Sequence, residues 1–230
     1  PLAKVATRVM YKGDLKEALE FYDKYKIVYF DEKLQVYRAK IKNHVAVKEA
    51  VFPFNKLHGA DLILGPEMKS TGEVMGISET FDLSFAKSQI ASSNKLPTSG
   101  VVFISLTDID KVFAKDIGKG FIEAGFKIVA TGGTHKALTE AGIESEFVYK
   151  ISEGRPNIED KIKNLEIDLV INTSDNKSSK DDARKIRQSV LRFNIPYFTT
   201  IAAANAAIEA IKKLKKEKKI EPKALQDYLK

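Results

Sequence analysis

From Val101 to the end of the chain, short runs of β-branched and aromatic residues alternate with helical apolar patterns, and this alternation limits the possible folds most strongly. The strand-like runs are Val101–Ser105, Phe126–Ala130, Glu146–Tyr149, Asp168–Asn172 and Tyr197–Thr200. Helical periodicity fills the intervals between them, as in residues 109–124. Strands that alternate with helices predict an α/β fold with a doubly wound, mostly parallel five-stranded sheet.

The residues before this alternation follow a different pattern. Helices are predicted at Leu2–Tyr11, Leu15–Tyr25 and Phe81–Ile90, and residues 27–41 show strand-like alternation. A stretch rich in turn formers, residues 92–100, separates the two parts. We therefore predict a mainly helical region at residues 1–95 and a separate α/β domain at residues 96–230.

Composition excludes several classes of protein. The 230 residues include no cysteine, so disulfides and thiolate metal sites are excluded, and a reducing cytoplasm is expected. The apolar runs are too short to span a bilayer, and no secretory signal is expected. His44, His58 and His135 are too scattered for a metal motif. The chain does not begin with Met, which suggests a piece of a longer protein.

The net charge of +7 is concentrated at the end of the chain. Residues 211–230 hold eight Lys against Glu217, Glu221 and Asp227. A nucleic-acid binder usually spreads basic residues along one face of its fold. We therefore expect a solvated Lys-rich helix end and no nucleic-acid partner, and DNA binding by this tail stays the less favoured alternative.

Two strand ends predict an anion site. Ala130-Thr131-Gly132-Gly133-Thr134 follows a strand and opens a helix, so its amides and hydroxyls could hold a phosphate. The competing interpretation is a tight turn with Thr134 as the helix N-cap, and local sequence leaves both open. Asn172-Thr173-Ser174 ends the fourth strand and should face the same crevice. Lys111 and Lys150 could add charge at its rim.

The acids that follow the fourth strand have an ordinary explanation. Asp175, Asp181 and Asp182 precede or begin the next predicted helix, where first-turn carboxylates are favourable. An acid or base role is the second possibility. No catalytic residue is assigned from these positions.

Several motifs resemble one family. They are Phe52-Pro53-Phe54-Asn55-Lys56, the run from Leu64-Gly65-Pro66-Glu67 to Gly76, Glu153-Gly154-Arg155-Pro156-Asn157-Ile158, and Ile171-Asn172-Thr173. The first two resemble the end of the second ATP-grasp half of the carbamoyl phosphate synthetase large subunit. The others resemble the methylglyoxal-synthase-like, Rossmann-like allosteric domain of the same family.

The resemblance implies particular ligands and residues. A nucleotide effector, UMP or IMP, would have its phosphate held by the positions Lys111, Thr131, Thr134, Lys150, Asn172 and Ser174. Ornithine-site candidates are Glu73, Tyr197 and Thr199. Ser174 and Phe198 depart from the more typical Thr and Asp.

The resemblance also implies a parent enzyme. That ligase makes carbamoyl phosphate for arginine and pyrimidine synthesis from bicarbonate, glutamine-derived ammonia and two ATP, with Mg or Mn as cofactor. The partners implied are the remainder of the large subunit and a glutaminase small subunit. Pro1 to Ala6 is similar to the segment after the magnesium-binding Glu and Asn, so we expect no catalytic, cofactor-binding or metal-binding residue in this chain alone.

A free-standing lyase is the alternative from another class. Methylglyoxal synthase acts on dihydroxyacetone phosphate and needs a carboxylate base beside its phosphate cradle. The Gly-Gly-Asp motif of that family is replaced here by Asn172-Thr173-Ser174, which disfavours this activity.

Overall fold

A computed structural model describes residues 2–23, 28–39, 44–51, 72–173, 180–217 and 220–228. The chain forms two compact units, one of residues 1–44 with 222–230 and one of residues 45–221. The domain boundary predicted at residues 95 and 96 stays a prediction.

The smaller unit contains two helices and a hairpin. Helix α1, Leu2–Lys12, packs against α2, Leu15–Phe21, through a small cluster of buried apolar residues. Asp14 caps α2 because its carboxylate accepts a hydrogen bond from the Glu17 amide at 2.8 Å. Strands β1, Val28–Asp31, and β2, Val36–Ala39, pair antiparallel, which accounts for the strand-like alternation of this segment. A final 3₁₀ turn spans Leu225–Tyr228.

In the larger unit, an antiparallel strand pair packs against a helix. Strand β3, Val45–Val51, pairs with β4, Gly72–Ser78, and α3, Phe81–Ala91, lies against both strands. The family motif at residues 52–56 and most of the motif at residues 64–76 lie outside the described residues.

The predicted five-stranded sheet is present, and its described strands are all parallel. They are β5 (Gly100–Ser105), β6 (Phe126–Thr131), β7 (Glu146–Val148), β8 (Leu169–Asn172) and β9 (Tyr197–Phe198). The strand order is β7-β6-β5-β8-β9. The chain therefore moves outward from β5 to β7, returns to the other side of β5, and reverses direction at the β5–β8 junction.

Helices cover both faces of this sheet, as a doubly wound fold requires. They are α4 (Ala114–Glu123), α5 (Gly132–Glu140), α6 (Ile158–Lys163), α7 (Lys180–Arg192) and α8 (Ile201–Lys216). One core cluster joins Val102 and Ile104 of β5 to α4 and α8, and a second joins Phe103 to α6 and α7. Successive residues of β5 thus point to opposite cores, which explains why this strand is apolar at nearly every position.

Two helices near the carboxyl edge of the sheet begin differently from the prediction. The helix expected from Ile109 begins as a 3₁₀ turn, Asp110–Phe113, before α4. The helix expected from His135 begins three residues earlier, at Gly132. Both shifts place potential ligand-binding residues inside a helical first turn.

The Lys-rich end of α8 makes local contacts. Lys212 donates to Glu123 of α4 at 2.9 Å, and Lys215 donates to the Ala124 carbonyl at 2.8 Å. A lysine that reaches the last carbonyls of a neighbouring helix stabilises that helix end. These two lysines therefore have a packing role in the contact between α4 and α8.

Candidate functional site

A cavity of about 450 Å³ opens at the carboxyl edge of the five-stranded sheet. Its lining combines strand ends, the start of α5, the loop after β5 and the first half of α7, through Ser105, Leu106, Thr107, Asp108, Ile109, Lys111, Thr131, Gly133, Thr134, Lys150, Asn172, Asp182, Ala183 and Ile186. Five sequence-predicted residues are in this set: Lys111, Thr131, Thr134, Lys150 and Asn172.

The strand order explains why these residues meet. Thr131 ends β6 and Asn172 ends β8, and Ser105 ends the central strand β5, where its Cα pairs with that of Asn172. Thr131 and Asn172 therefore lie at the same edge, as the strand-end argument predicts. They are not on neighbouring strands, however, because β5 separates them.

The Gly-rich turn is a helix start, and the competing interpretation in which Thr134 is the N-cap is wrong. Thr131, not Thr134, occupies the N-cap position of α5, and its side chain makes no capping hydrogen bond. The hydroxyl of Thr134 instead accepts a hydrogen bond from the Leu106 amide at 2.9 Å. Thr134 thus holds the loop after β5 against α5. Thr131, Gly133 and Thr134 line the cavity, so the positive end of the α5 dipole lies at its edge.

Short hydroxyl contacts fix the remaining strand ends. The Ser105 and Thr131 hydroxyl oxygens lie 3.2 Å apart. The Thr107 amide donates to the Thr173 hydroxyl at 3.1 Å, and the Thr173 amide donates to the Ser105 carbonyl at 3.1 Å. Thr131, Thr134, Asn172 and Thr173 are all buried. The site is therefore built in advance, because its backbone is tied by buried polar groups that have partners.

Two lysines provide positive charge. Lys111 lies in the 3₁₀ turn before α4, and its ammonium pairs with the Asp108 carboxylate. Lys150 follows β7, and its ammonium lies 3.8 Å from the Glu153 carboxylate. The hydrogen bond from Lys111, then the charges of Lys111 and Lys150, lower the pKa of Asp108. Asp108 therefore stays ionised and offsets part of the positive charge.

The Glu153–Ile158 motif holds the backbone of the segment that carries Lys150. The Lys150 amide donates to Glu153 Oε2 at 2.9 Å. Asn157 and Asp160 form a capping box at the start of α6, because each side chain accepts from the other's backbone amide. The motif therefore fixes the direction in which the chain leaves the cavity.

Sequence reasoning missed three polar residues of this lining, Ser105, Thr107 and Asp108, and it favoured a first-turn role for a fourth, Asp182, with acid–base chemistry as the second possibility. The Asp182 carboxylate accepts from the amide of Ser152 at 3.1 Å and from its hydroxyl, so it joins α7 to the loop after β7. The first-turn explanation of Asp182 was therefore incomplete. Ser105 had a usable signal, because it ends a strand as Asn172 does. The predicted site residue Ser174 lies outside the described residues, as do Asp175 and the side chain of Asp181.

Known proteins similar to this chain agree with the resemblance. Residues 114–199 match the family model described as "MGS-like domain". The whole chain is 59% identical to part of the carbamoyl phosphate synthase large chain of Campylobacter jejuni and 54% to that of Helicobacter pylori. It is 46% identical, over 95% of its length, to the "C-terminal section" of the large chain of Aquifex aeolicus.

The chain belongs to the carbamoyl phosphate synthase large-chain family. It covers 21% of the Campylobacter and Helicobacter proteins and 41% of the Aquifex section. These homologues are parts of a ligase, and the chain corresponds to a portion of that larger polypeptide.

The ornithine candidates of this carbamoyl phosphate synthase homologue lie on two elements. Glu73 is exposed on β4, and its carboxylate is 2.6 Å from the ammonium of Lys48. Tyr197 is half-buried on the edge strand β9, and Thr199 is exposed just beyond it. These three residues are absent from the lining of the cavity described above. Their role in ornithine binding stays a prediction.

The described residues contain neither a metal-ligand cluster nor a helix that could span a membrane. Within these segments, no cluster of three or more His, Asp or Glu side chains is arranged to hold a metal ion. Among the helices built from the same residues, none has the length and apolarity needed to cross a membrane.

Proposed function

We propose that this chain is the C-terminal regulatory part of a glutamine-hydrolysing carbamoyl phosphate synthase large subunit, and that it binds a UMP- or IMP-type effector. The observation that supports the proposal is that one cavity brings together five residues: Lys111, Thr131, Thr134, Lys150 and Asn172. Two ammonium groups, several hydroxyls and a helix N-terminus form a site suited to a phosphate monoester dianion.

The proposed role is control of a neighbouring ATP-dependent site. An effector that binds better to one conformation of the whole enzyme shifts the population toward it. The coupling must be reciprocal, so ATP or substrate at the neighbouring site would change effector affinity by the same factor. ATP, its metal ion, the rest of the large subunit and a glutaminase subunit belong to this proposal for the parent enzyme.

Calorimetric titration of the 230-residue chain with UMP and with IMP tests the binding step. We expect saturable binding of at least one nucleotide and none of uridine, which lacks the phosphate. Lys111→Met should weaken binding about tenfold or more, because a charge-assisted hydrogen bond is lost. Lys136→Met is the matched control, since Lys136 is an exposed lysine of α5 that pairs with Glu140.

Two results would count against the proposal. One is the absence of binding at millimolar nucleotide, and the other is equal affinity for UMP and uridine. The first would mean that the cavity does not hold a nucleotide, and the second that it does not recognise the phosphate.

A lyase is the second candidate because Asp108 and Asp182 place carboxylates at the same cavity. Proton abstraction beside a bound phosphate needs such a base. Both carboxylates are already engaged, Asp108 with Lys111 and Asp182 with Ser152, which favours the regulatory proposal. An assay for methylglyoxal from dihydroxyacetone phosphate separates the two, and we expect no product.

The ornithine proposal has a separate test. Titration of the chain with ornithine should give binding that Glu73→Gln weakens, because the carboxylate would pair with an amino group of the ligand. Glu79→Gln, in an exposed residue just beyond the same strand, is the control. Equal affinity of all three proteins would remove Glu73 from the proposed site.

A further inference from the structure

The two lysines of the cavity have different carboxylate neighbours. Lys150 lies 3.8 Å from Glu153, and the Glu153 carboxylate also accepts from the Lys150 amide, so it is held close to its own chain segment. Asp108 makes an ion pair with Lys111 and lines the cavity together with both lysines. Asp108 is therefore the carboxylate placed where an incoming anion would meet Lys111.

Exposure separates the two members of this ion pair. The Asp108 side chain is 94% exposed, whereas that of Lys111 is only 28% exposed. Asp108 is already hydrated, so it can turn away from Lys111 at little cost in free energy, while the ammonium of Lys111 stays in the cavity. The pair therefore combines a partly buried cation with an exposed, displaceable anion.

The ammonium of Lys111 also lies over the start of α5. A Cβ atom built on Gly133 would be 2.7 Å from Lys111 Nζ. A phosphate at the helix N-terminus would therefore be within reach of the same ammonium that Asp108 now engages. The carboxylate and a phosphate oxygen are both acceptors for the Lys111 N–H groups, so they compete for them.

We propose that Asp108 is an internal competitor for the phosphate of the ligand, which occupies Lys111 until a phosphate monoester displaces it. This inference rests on the proposed function and adds a residue that sets its affinity. The carboxylate lowers the apparent affinity by the fraction of time that Lys111 is engaged. It also keeps the cavity from presenting two uncompensated cations to every small anion.

The first test compares two single-charge variants of the 230-residue chain by calorimetry with UMP. Asp108→Asn should tighten UMP binding about threefold, the range that an exposed ion pair corresponds to. Asp116→Asn removes the same charge from an exposed position on α4 and should change the affinity by less than a factor of two. Unchanged or weaker binding by Asp108→Asn would overturn the inference.

A double-mutant cycle separates competition from general repulsion between Asp108 and the ligand. If Asp108 acts by occupying Lys111, its replacement should have no effect when Lys111 is already Met. Lys111→Met and the double variant Lys111→Met/Asp108→Asn should then bind UMP equally. An undiminished threefold gain in the Lys111→Met background would show long-range repulsion and contradict the competitor role.

Failure of this inference differs from failure of the proposed function. Binding of UMP by the wild type with no gain in Asp108→Asn overturns the competitor role alone. Binding only by Asp108→Asn supports it, since the carboxylate then blocks the site. Absence of binding by every protein at millimolar UMP overturns the proposed function and this inference together.

Discussion

Two groups of buried polar side chains in the larger unit have different surroundings. At the carboxyl edge of the five-stranded sheet, buried Thr131, Thr134 and Asn172 surround an open cavity. Between β4 and α3, buried Ser84, Ser88 and Gln89 lie in a contact with no room for another atom. The comparison shows that buried hydroxyls alone do not indicate a ligand site.

The hydrogen-bond partners of the hydroxyls explain why the contact between β4 and α3 is closed and the cavity is open. Ser84 donates to the carbonyls of Val45 and Thr80, both at 2.8 Å, and Ser88 donates to the carbonyl of Phe85 at 2.9 Å. Small side chains that bond to nearby carbonyls let α3 approach the strands closely. Thr134 instead accepts from the Leu106 amide across two elements, which ties a loop at the rim and keeps the cavity open.

The largest expected effect is on the contact between β4 and α3, which we call the closed contact. A Cβ on residue 76 would lie 1.9 Å from the Ser84 carbonyl oxygen and 2.6 Å from the Ser88 nitrogen, both fixed backbone atoms of α3. Gly76→Ala should therefore destabilise the fold by about 3 kcal/mol. Gly72→Ala in the same strand is the control, because among the described residues its Cβ would meet Val51 alone, at 3.9 Å.

Urea unfolding measures both variants. Equal unfolding free energies of Gly76→Ala and Gly72→Ala would mean that α3 can move away from β4 at no cost, and the closed contact would lose its structural role.

The next largest effect is on the cavity at the carboxyl edge of the five-stranded sheet, which we call the open site. Thr134→Val removes the acceptor of the buried Leu106 amide, so we expect a loss of about 1–2 kcal/mol in the free energy of unfolding. UMP binding should also weaken, because the loop that positions Lys111 loses its attachment. Thr139→Val is the matched control, since Thr139 is exposed on the same helix and its hydroxyl donates to the His135 carbonyl at 2.9 Å. Calorimetry and urea unfolding on both variants give the comparison, and full UMP affinity in a destabilised Thr134→Val would contradict it.

A glycine of the open site should behave unlike Gly76. A Cβ on Gly133 would meet the flexible end of Lys111, with Nζ at 2.7 Å and Cε at 3.2 Å. Gly133→Ala should therefore move the ammonium and weaken UMP binding severalfold, while the unfolding free energy changes little. A large loss of stability with unchanged binding would reverse the distinction between the two sites.

The smallest effect concerns pH and Glu49, next to the closed contact. Burial raises the pKa of Glu49, and the hydrogen bond from Gln89, at 3.0 Å, opposes this rise. Because the folded state holds the proton more tightly, the stabilisation is complete below the ordinary pKa and is lost as pH rises through the folded value. Wild-type stability should therefore fall slightly just above pH 4.5, and Glu49→Gln should remove this part of the pH dependence.

Urea unfolding between pH 4 and pH 7 tests this prediction. Glu79→Gln serves as the control because Glu79 is exposed. A pH profile of Glu49→Gln identical to the wild type would show that this carboxyl does not contribute.

The sequence predicted the sheet well because each strand has a simple pattern. Phe103 and Ile104 belong to opposite cores, so β5 had to be apolar throughout, and such a run indicates a buried parallel strand. The convergence of Thr131 and Asn172 followed from parallel strand direction alone.

The missed features depend on contacts between distant segments. Local sequence left open whether Thr134 caps its own helix or holds a phosphate, and neither interpretation included its hydrogen bond with Leu106, 28 residues earlier. Asp182 was explained by its own helix, but it bonds to Ser152, 30 residues earlier. Local patterns contain no information about such partners, and the close approach at Gly76 likewise depends on the position of α3.

The central claim is that a phosphate monoester binds at the carboxyl edge of the five-stranded sheet. Titration of the ¹⁵N-labelled 230-residue chain with UMP, followed by amide chemical shifts, tests this location directly. We expect the largest shifts at Thr131–Thr134, Lys111 and Asn172, with the amides of α3 and β4 nearly unchanged. Saturable shifts centred on any other surface, or none at millimolar UMP, would contradict it.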